Sequence, residues 1–328
     1  MIPIFLVSDE NYAKYAAVTI QSVISGTNEK LAFYILDGGI FEDSAEKITQ
    51  MVENSHNSIE FIKMDLKVFE KFPNKGHFSL NTYFRYLIAD LKPEIKKALY
   101  IDTDMVICGN VSEIYNTKLD GMALAAVPYI EEELKLNGFK KYKTIFDLPD
   151  NHLYFNAGLL LIDCDYWRKN KIAEILLNKT AEMHKKLQMP DQDVLNVVFA
   201  NNYTILPKQY NLVVDLCVKY IDLNSFINDL KGCFVLHYTG GNDVRPWIEE
   251  NVPCKQYFWN MATKTPFYQE LKYELLLNKI KTANNKTKKS CKKFLLMNFI
   301  PILKMKKKGN IKRYYLFGIF PILKIEEY

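Results

Sequence analysis

The sequence predicts an α/β fold: a mostly parallel sheet flanked by helices. Three observations predict it. Strand-like and helix-like segments alternate along the first half of the chain. Several strands are apolar throughout rather than at every second position, the pattern of strands covered on both faces. Aspartates stand where these strands end, and open α/β sheets bind ligands beyond the carboxyl ends of their strands.

In chain order, Ile2–Ser8 (IPIFLVS) is a continuous apolar strand, and Asn11–Ser25 sets Ala13, Ala16, Ile20 and Val23 at helical spacing. Leu31–Asp37 is a second strand. A helix from about Asp43 to Glu53 and a strand Ile59–Met64 follow. Residues 80–90 read as a helix, and Lys97–Asp102 and Met122–Pro128 as strands. Asp9, Asp37 and the pair Asp102 and Asp104 all lie at strand ends, so they are expected on one rim. Tyr154–Asp163 reads as a turn into a buried strand, and Cys164 to Lys186 as one long helix. Pro190–Ala200 opens a further helix, with Asp191 as N-cap candidate. Cys233–Trp247 is a strand running into a Gly-rich loop.

The 328 residues are 48% hydrophobic, enough for a large core. The net charge of +5 is unevenly divided. Residues 275–328 hold 14 of the 43 Lys/Arg but only Glu326 and Glu327 of the 38 Asp/Glu, a balance of +12. Residues 1–274 hold the other 29 and 36, a balance of −7. An acidic globular domain over 1–274 and a basic tail over 275–328 are expected to have separate jobs. Cys108, Cys164, Cys217, Cys233, Cys254 and Cys291 form no CxxC pair and match no zinc spacing, so they are read as reduced thiols of a cytoplasmic protein. The N-terminus lacks a basic n-region and reads as a first strand, not a signal peptide. No run of about 18 uncharged apolar residues suggests a transmembrane helix.

The tail repeats Pro-Ile-Leu-Lys in Phe299–Met305 and Ile319–Ile325, with KKKGNIKRYYLFG between them. Aromatic and aliphatic residues among many lysines suit a segment lying on an anionic membrane surface. An extra hairpin packed on the domain, or a nucleic-acid-binding arm, are the other readings; membrane is preferred, with no nucleic acid partner.

Chemistry concentrates in LYIDTDMVICGN, from Leu99 to Asn110. Residues i and i+2 of a strand share a side, so Asp102 and Asp104 can present two carboxylates to one point. Two such oxygens suit a hard divalent cation, whose natural partner is a diphosphate. A lone DxD also occurs in ordinary turns and caps.

SDENYAKYAAVTIQSV, YIDTD, YFNAGLLLID, DQDVLN and LHYTG…RPW occur in this order over about residues 2–260. Together they resemble the family 8 glycosyltransferases: retaining, GT-A fold, using a nucleotide sugar and manganese, and including bacterial galactosyl- and glucosyltransferases of lipooligosaccharide and lipopolysaccharide biosynthesis. The resemblance implies a GT-A, Rossmann-like nucleotide-sugar domain. It makes Asp102, Asp104 and His237 the metal ligands, for Mn2+ with Mg2+ as the alternative; the imidazole tilts the choice toward manganese. It assigns Asp9, Asn11 and Tyr12 to uracil and ribose, Arg85 to the donor sugar, Asn156 and Ala157 to the transferring sugar, and Thr103 and Gly240 to the donor site. Helix capping by Asp9 or Asn11, an ion pair at Arg85 and a tight turn at "NAG" are the plain structural readings of the same residues. Asp191 and Gln192 are the implied catalytic pair facing the anomeric carbon, with Asp193 a secondary candidate; capping is the plain reading of Asp191. Gln192 is a poor nucleophile where retaining hydrolases place a carboxylate, which implies same-face attack.

The sequence departs from the family in three places. Arg245 stands where the family has a diphosphate-binding Lys, and Arg keeps the cation. The loop GGNDVRPW is about two residues longer. Pro128 and Tyr129 follow the strand after which the family often carries an Asp, and residues 131–152 are expected to form a lid. The implied enzyme is a metal-dependent, retaining hexosyltransferase at the inner face of the cell membrane. It would move galactose or glucose from a UDP-hexose to a saccharide acceptor, with a lipid-linked one expected. A haloacid-dehalogenase-type phosphohydrolase wants its DxD on the first strand, which this chain lacks. A non-catalytic sugar-nucleotide-binding membrane adaptor of the same fold is the alternative.

Overall fold

A computed structural model describes residues 1–70, 72–73, 79–129, 140–214, 230–286, 292–296, 300–308, 311–316 and 320–326. The main sheet has seven strands in the order β3-β2-β1-β4-β7-β6-β8. These are β1 (Ile2–Ser8), β2 (Leu31–Asp37), β3 (Ser58–Lys63), β4 (Lys97–Ile101), β6 (Leu124–Pro128), β7 (Phe155–Asp163) and β8 (Thr204–Ile205). β1 pairs in parallel with β2 and β4, β2 with β3, and β6 with β8; β7 runs antiparallel to both β4 and β6. The chain winds outward from β1 to β3, then returns to lay β4 on the other side of β1. That reversal leaves a crevice beyond the carboxyl ends of β1 and β4, where such folds bind ligands.

Strand composition explains the layering. β1, β2, β4 and β7 are buried almost residue by residue, so both faces must be covered. Helix α1 (Glu10–Gly26) buries Ala13, Ala16, Ala17, Ile20 and Val23. One core cluster joins Phe5, Tyr83, Tyr86, Tyr100, Phe155 and Trp167. Trp167 adds a hydrogen bond from Nε1 to the Ala123 carbonyl at 3.0 Å.

A second sheet orders β5 (Met105–Ile107), β10 (Val235–His237) and β9 (Leu212–Val213) as β5-β10-β9. β5 is antiparallel to β10, opposing Met105 to His237, and β9 is parallel to β10.

The structure changes several local expectations. Residues 80–90 form a 3-10 helix, Leu80–Leu87, and only then an α-turn, Ile88–Leu91. The long helix after β7 is two helices, Cys164–Lys169 and Ile172–Met183, because Lys171 is left-handed at φ 51°. "NAG" is no turn: Asn156 lies within β7, opposite Val127 where the β6 register shifts. Asp191 is not the cap of the helix Pro190–Val198; that place belongs to Met189, and Pro190 opens the helix. Asp37 does not join the crevice. Its Oδ1 accepts the backbone N–H groups of Gly39 and Ile40 and closes the turn after β2.

Compact units divide the chain into Met1–Pro246 with Asn251–Gln269, and Trp247–Glu250 with Glu270–Tyr328. The second unit holds the helix Tyr268–Lys286 from Glu270 onward and an antiparallel sheet of β11 (Lys292–Leu296), β12 (Ile300–Lys308), β13 (Ile311–Leu316) and β14 (Phe320–Glu326), in sequence order. Neighbouring strands of this sheet pair antiparallel, with Lys306 opposite Arg313 and Tyr314 opposite Leu323. Among the described residues no helix is long and apolar enough to cross a membrane. Of the lid expected over 131–152, residues 131–139 lie outside the described residues; within the rest, Lys140–Ile145 is a helix.

Candidate active site

Beyond β1 and β4 the crevice opens into a cavity of about 550 Å³. Fourteen of the residues singled out in the sequence line it: Asp9, Asn11, Tyr12, Arg85, Asp102, Thr103, Asp104, Asn156, Ala157, Asp191, Gln192, His237, Gly240 and Arg245; the secondary candidate Asp193 is not in its lining.

β4 ends at Ile101, so Asp102 and Asp104 stand in the turn that carries the chain from the main sheet into β5, not on a strand. Strand alternation therefore does not explain their convergence; the turn between two sheets does. Backbone bonds fix it. Asp102 N–H donates to the Gly158 carbonyl at 2.8 Å, and Tyr238 N–H to the Asp104 carbonyl at 2.9 Å. His237 is the last residue of β10 rather than a loop residue, and its Nε2 lies 3.1 Å from Asp104 Oδ1 and 3.9 Å from Asp102 Oδ2. One ligand atom from each of the three falls within 4.8 Å of the others. The room for this depends on Gly158. A Cβ there would lie 2.5 Å from His237 Cε1 and 2.8 Å from Asp102 Oδ2. Two carboxylates and an imidazole suit a divalent cation with a taste for nitrogen.

Beside this group Arg85 is 6% exposed and uses its whole fork. Nη2 donates to Asp102 Oδ1 at 3.1 Å, Nη1 to the Ala157 carbonyl at 2.7 Å, and Nε meets Asp191 Oδ2 at 3.1 Å. The guanidinium also stands over the Tyr100 ring, 4.4 Å from its centroid. Burial works against the Arg85 charge, but Asp102 and Asp191 outweigh it and raise its pKa. Burial raises the Asp102 carboxyl despite Arg85. For Asp104 burial acts the same way, but His237 and Arg245 overcome it and leave the carboxyl low.

Asp191 also accepts from the Thr82 hydroxyl at 2.6 Å. Gln192 Oε1 accepts from Ala157 N–H at 3.0 Å, and its Nε2 approaches Tyr154 Oη at 3.4 Å. Asp193 anchors this helix start: its Oδ2 accepts the N–H groups of Gln188 and Met189, and its Oδ1 the Tyr154 hydroxyl. Burial pushes its carboxyl up to about 6 despite those donors.

At the opposite end Asp9 caps α1, accepting from Tyr12 N–H at 3.2 Å, and takes a 3.3 Å bond from Asn81 Nδ2. Arg245 Nη1 donates to Tyr12 Oη at 3.3 Å, while its buried Nε has no hydrogen-bond partner among the described residues. Burial raises the Tyr12 phenol, with Arg245 opposing. Gly240 has φ +124°, which a side chain would strain.

Sequence reasoning passed over Tyr100, Asn81, Thr82 and Asn211. Tyr100 had a signal, since it stands two residues before Asp102 and its hydroxyl donates to that carboxylate. Thr82, three residues before Arg85, had the spacing of one helical turn. Asn81 and Asn211 carry no local signal.

The profile of Glycosyl transferase family 8 matches residues 3–251. The chain is 26% identical to the lipopolysaccharide 1,2-glucosyltransferase of Escherichia coli, over 79% of this chain and 77% of that protein. It is 27% identical to the lipopolysaccharide 1,3-galactosyltransferase of Salmonella typhimurium, again over 79% and 77%. The crystal structure of the galactosyltransferase LgtC with donor and acceptor sugar analogues superposes with a TM-score of 0.72 at 25% identity, covering 84% of this chain and all of that one.

Proposed function

The chain belongs to Glycosyl transferase family 8, and from that premise we propose that it is a retaining hexosyltransferase. It moves galactose or glucose from a UDP-sugar to a saccharide acceptor on a lipid-linked surface glycan. The observation that carries this reading is the convergence of Asp102, Asp104 and His237 beside Arg245 on one side and Asp191 and Gln192 on the other, in one cavity.

In this reading Asp9, Asn11 and Tyr12 hold the uridine, and Asp102, Asp104 and His237 hold a divalent ion, manganese before magnesium. An ion held there would supply charge neutralisation for the diphosphate leaving group. Arg245 adds a cation on the same side, and its free Nε gives it a donor for a phosphate oxygen. Arg85 keeps Asp102 and Asp191 apart and oriented, so the site is charged and set before the donor arrives. Asp191 is tied to Arg85 and Thr82, and the Gln192 oxygen is held by Ala157. Neither is free as a nucleophile, which supports same-face attack with the leaving phosphate taking the acceptor's proton.

The basic tail keeps the enzyme at the cytoplasmic membrane face, near a lipid-linked acceptor. The balance of +12 over residues 275–328, with aromatic and aliphatic residues among the lysines, supports this.

Incubating the full-length protein with UDP-glucose, UDP-galactose, UDP-GlcNAc or UDP-GalNAc, with Mn2+ or EDTA, and measuring UDP release tests the reaction. Metal-dependent release from one hexose donor is expected. Failure to bind any UDP-sugar in Mn2+ would overturn the transferase reading. Replacing Lys304, Lys306 and Lys308 by Glu should release the protein from anionic liposomes; unchanged binding would remove the membrane reading.

A further inference from the structure

Behind the Asp102–Asp104–His237 group runs a chain of buried amides. Asn156 Nδ2 donates to Tyr129 Oη at 2.7 Å. Asn156 Oδ1 accepts from Gly158 N–H at 2.9 Å and from Asn211 Nδ2 at 2.8 Å. Asn211 Oδ1 faces His237 Nδ1 at 3.0 Å, and His237 Nε2 faces Asp104. Asn156, Asn211 and His237 are 5%, 4% and 2% exposed, so water does not stand in for a missing partner.

An amide's oxygen and nitrogen are alike in shape, so the direction of such a chain must come from a group that has only one role. Gly158 is that group, because a backbone N–H can only donate. It turns the Asn156 oxygen toward itself. That oxygen then requires the nitrogen of Asn211, which leaves the Asn211 oxygen against the ring. An oxygen facing Nδ1 requires a proton on Nδ1. Reversing any amide sets two donors or two acceptors face to face and leaves buried polar groups unsatisfied. Asn211 stands directly before β9, whose parallel pairing with β10 sets Val213 beside His237, so one small sheet carries both partners.

We propose that Asn211 is a positioning residue: directed by the Gly158 N–H through Asn156, it keeps the proton of the His237 ring on Nδ1 and reserves Nε2 for the cation held with Asp102 and Asp104. This rests on the metal reading above and adds what orients its nitrogen ligand. Ligating histidines are fixed in this way by their other nitrogen, and loss of the partner costs 10- to 100-fold in metal affinity.

The test uses full-length protein labelled with [15N]histidine, with the His237 signal assigned by its loss in His237→Gln. Wild type should show a protonated Nδ1 both without metal and with Mg2+. In Asn211→Leu, similar in size but without an acceptor, that N–H signal should be lost. The Mn2+ dissociation constant, read from free Mn2+ by electron paramagnetic resonance without sugar nucleotide, should rise about 10- to 100-fold. Asn211→Asp still accepts from Nδ1–H but cannot donate to Asn156. It should keep the signal and bind Mn2+ closer to wild type than Asn211→Leu does. An unprotonated Nδ1 in wild type, or an Asn211→Leu variant equal to wild type in signal and affinity, would overturn the proposal. So would equal losses of affinity in both variants with equally lowered melting temperatures, the mark of a purely structural residue. A wild type that binds no Mn2+ refutes the metal reading instead, and the histidine signal still decides the orientation.

Discussion

At one end of the cavity Asp9 and Tyr12 are half-buried, Asn11 is exposed, and the side-chain bonds to Asn81 and Arg245 are long, at 3.3 Å each. At the other end Arg85, Asp191 and Gln192 are buried, and one guanidinium ties two carboxylates and a strand carbonyl together at 2.7–3.1 Å. The first end is more exposed and more loosely bonded, which fits the nucleoside end proposed above. The second has been dehydrated and bonded during folding, so its electrostatics are in place before a ligand enters. Substitutions at the second end should therefore disturb stability and activity together, and those at the first only binding.

The largest effect is expected from Arg85→Met. It removes the cation between Asp102 and Asp191 and strands the buried Asp191 carboxylate together with the partly buried Asp102, which costs about 3–5 kcal/mol. Urea unfolding should show that loss together with abolished turnover; a stable but inactive variant would break the contrast between the ends. Next comes the pH dependence of Asp193. Its folded carboxyl, raised to about 6, keeps a proton that the unfolded chain gives up at about 3.9. The Asp193 contribution is therefore fully present below pH ~4 and is lost as pH rises to ~6, by up to about 2–3 kcal/mol relative to Asp193→Asn. Paired urea titrations at pH 4, 5, 6 and 7 would reveal it, and a flat difference would refute it.

Gly158→Ala forces its new methyl against His237 and Asp102, and overpacking of this kind costs about 1–3 kcal/mol. Calorimetry should show a lower melting temperature, and Mn2+ binding should weaken in parallel. The smallest effect on the fold belongs to the nucleotide end. Tyr12→Ala removes a stacking surface worth about 1–3 kcal/mol per base, so KM for the UDP-sugar should rise about tenfold while the melting temperature holds. A large drop in melting temperature would show that this end, too, is structural.

The same contrast governs what could be read from the sequence. β1 and β2 were legible to the residue because their apolar runs are continuous. The cavity residues were legible mainly through the family resemblance; only Asp9, Asp102 and Asp104 were also marked by their places at strand ends. The fine structure was not. Asp191 stands where N-caps are sought, yet its charge is claimed by Arg85, a hundred residues earlier in the chain. Tyr100 hid in an apolar strand. Asn211 followed no pattern, because its partners come from β7 and β10 and exist only after folding. The break at Lys171 followed Asn170, a residue that tolerates helix ends, within an otherwise continuous helical run.

The small sheet has strands of three, three and two residues, too short to be sturdy alone. A ligand that spans the Asp102 turn and His237 would clasp this sheet to the large one. Because such a ligand favours the closed form over the locally opened one, it deepens protection by RT ln(1 + [L]/Kd). The amide hydrogens of residues 235–238 thus become a built-in occupancy gauge. Their exchange with deuterium should slow in step with saturation of the site, long before any sugar is transferred.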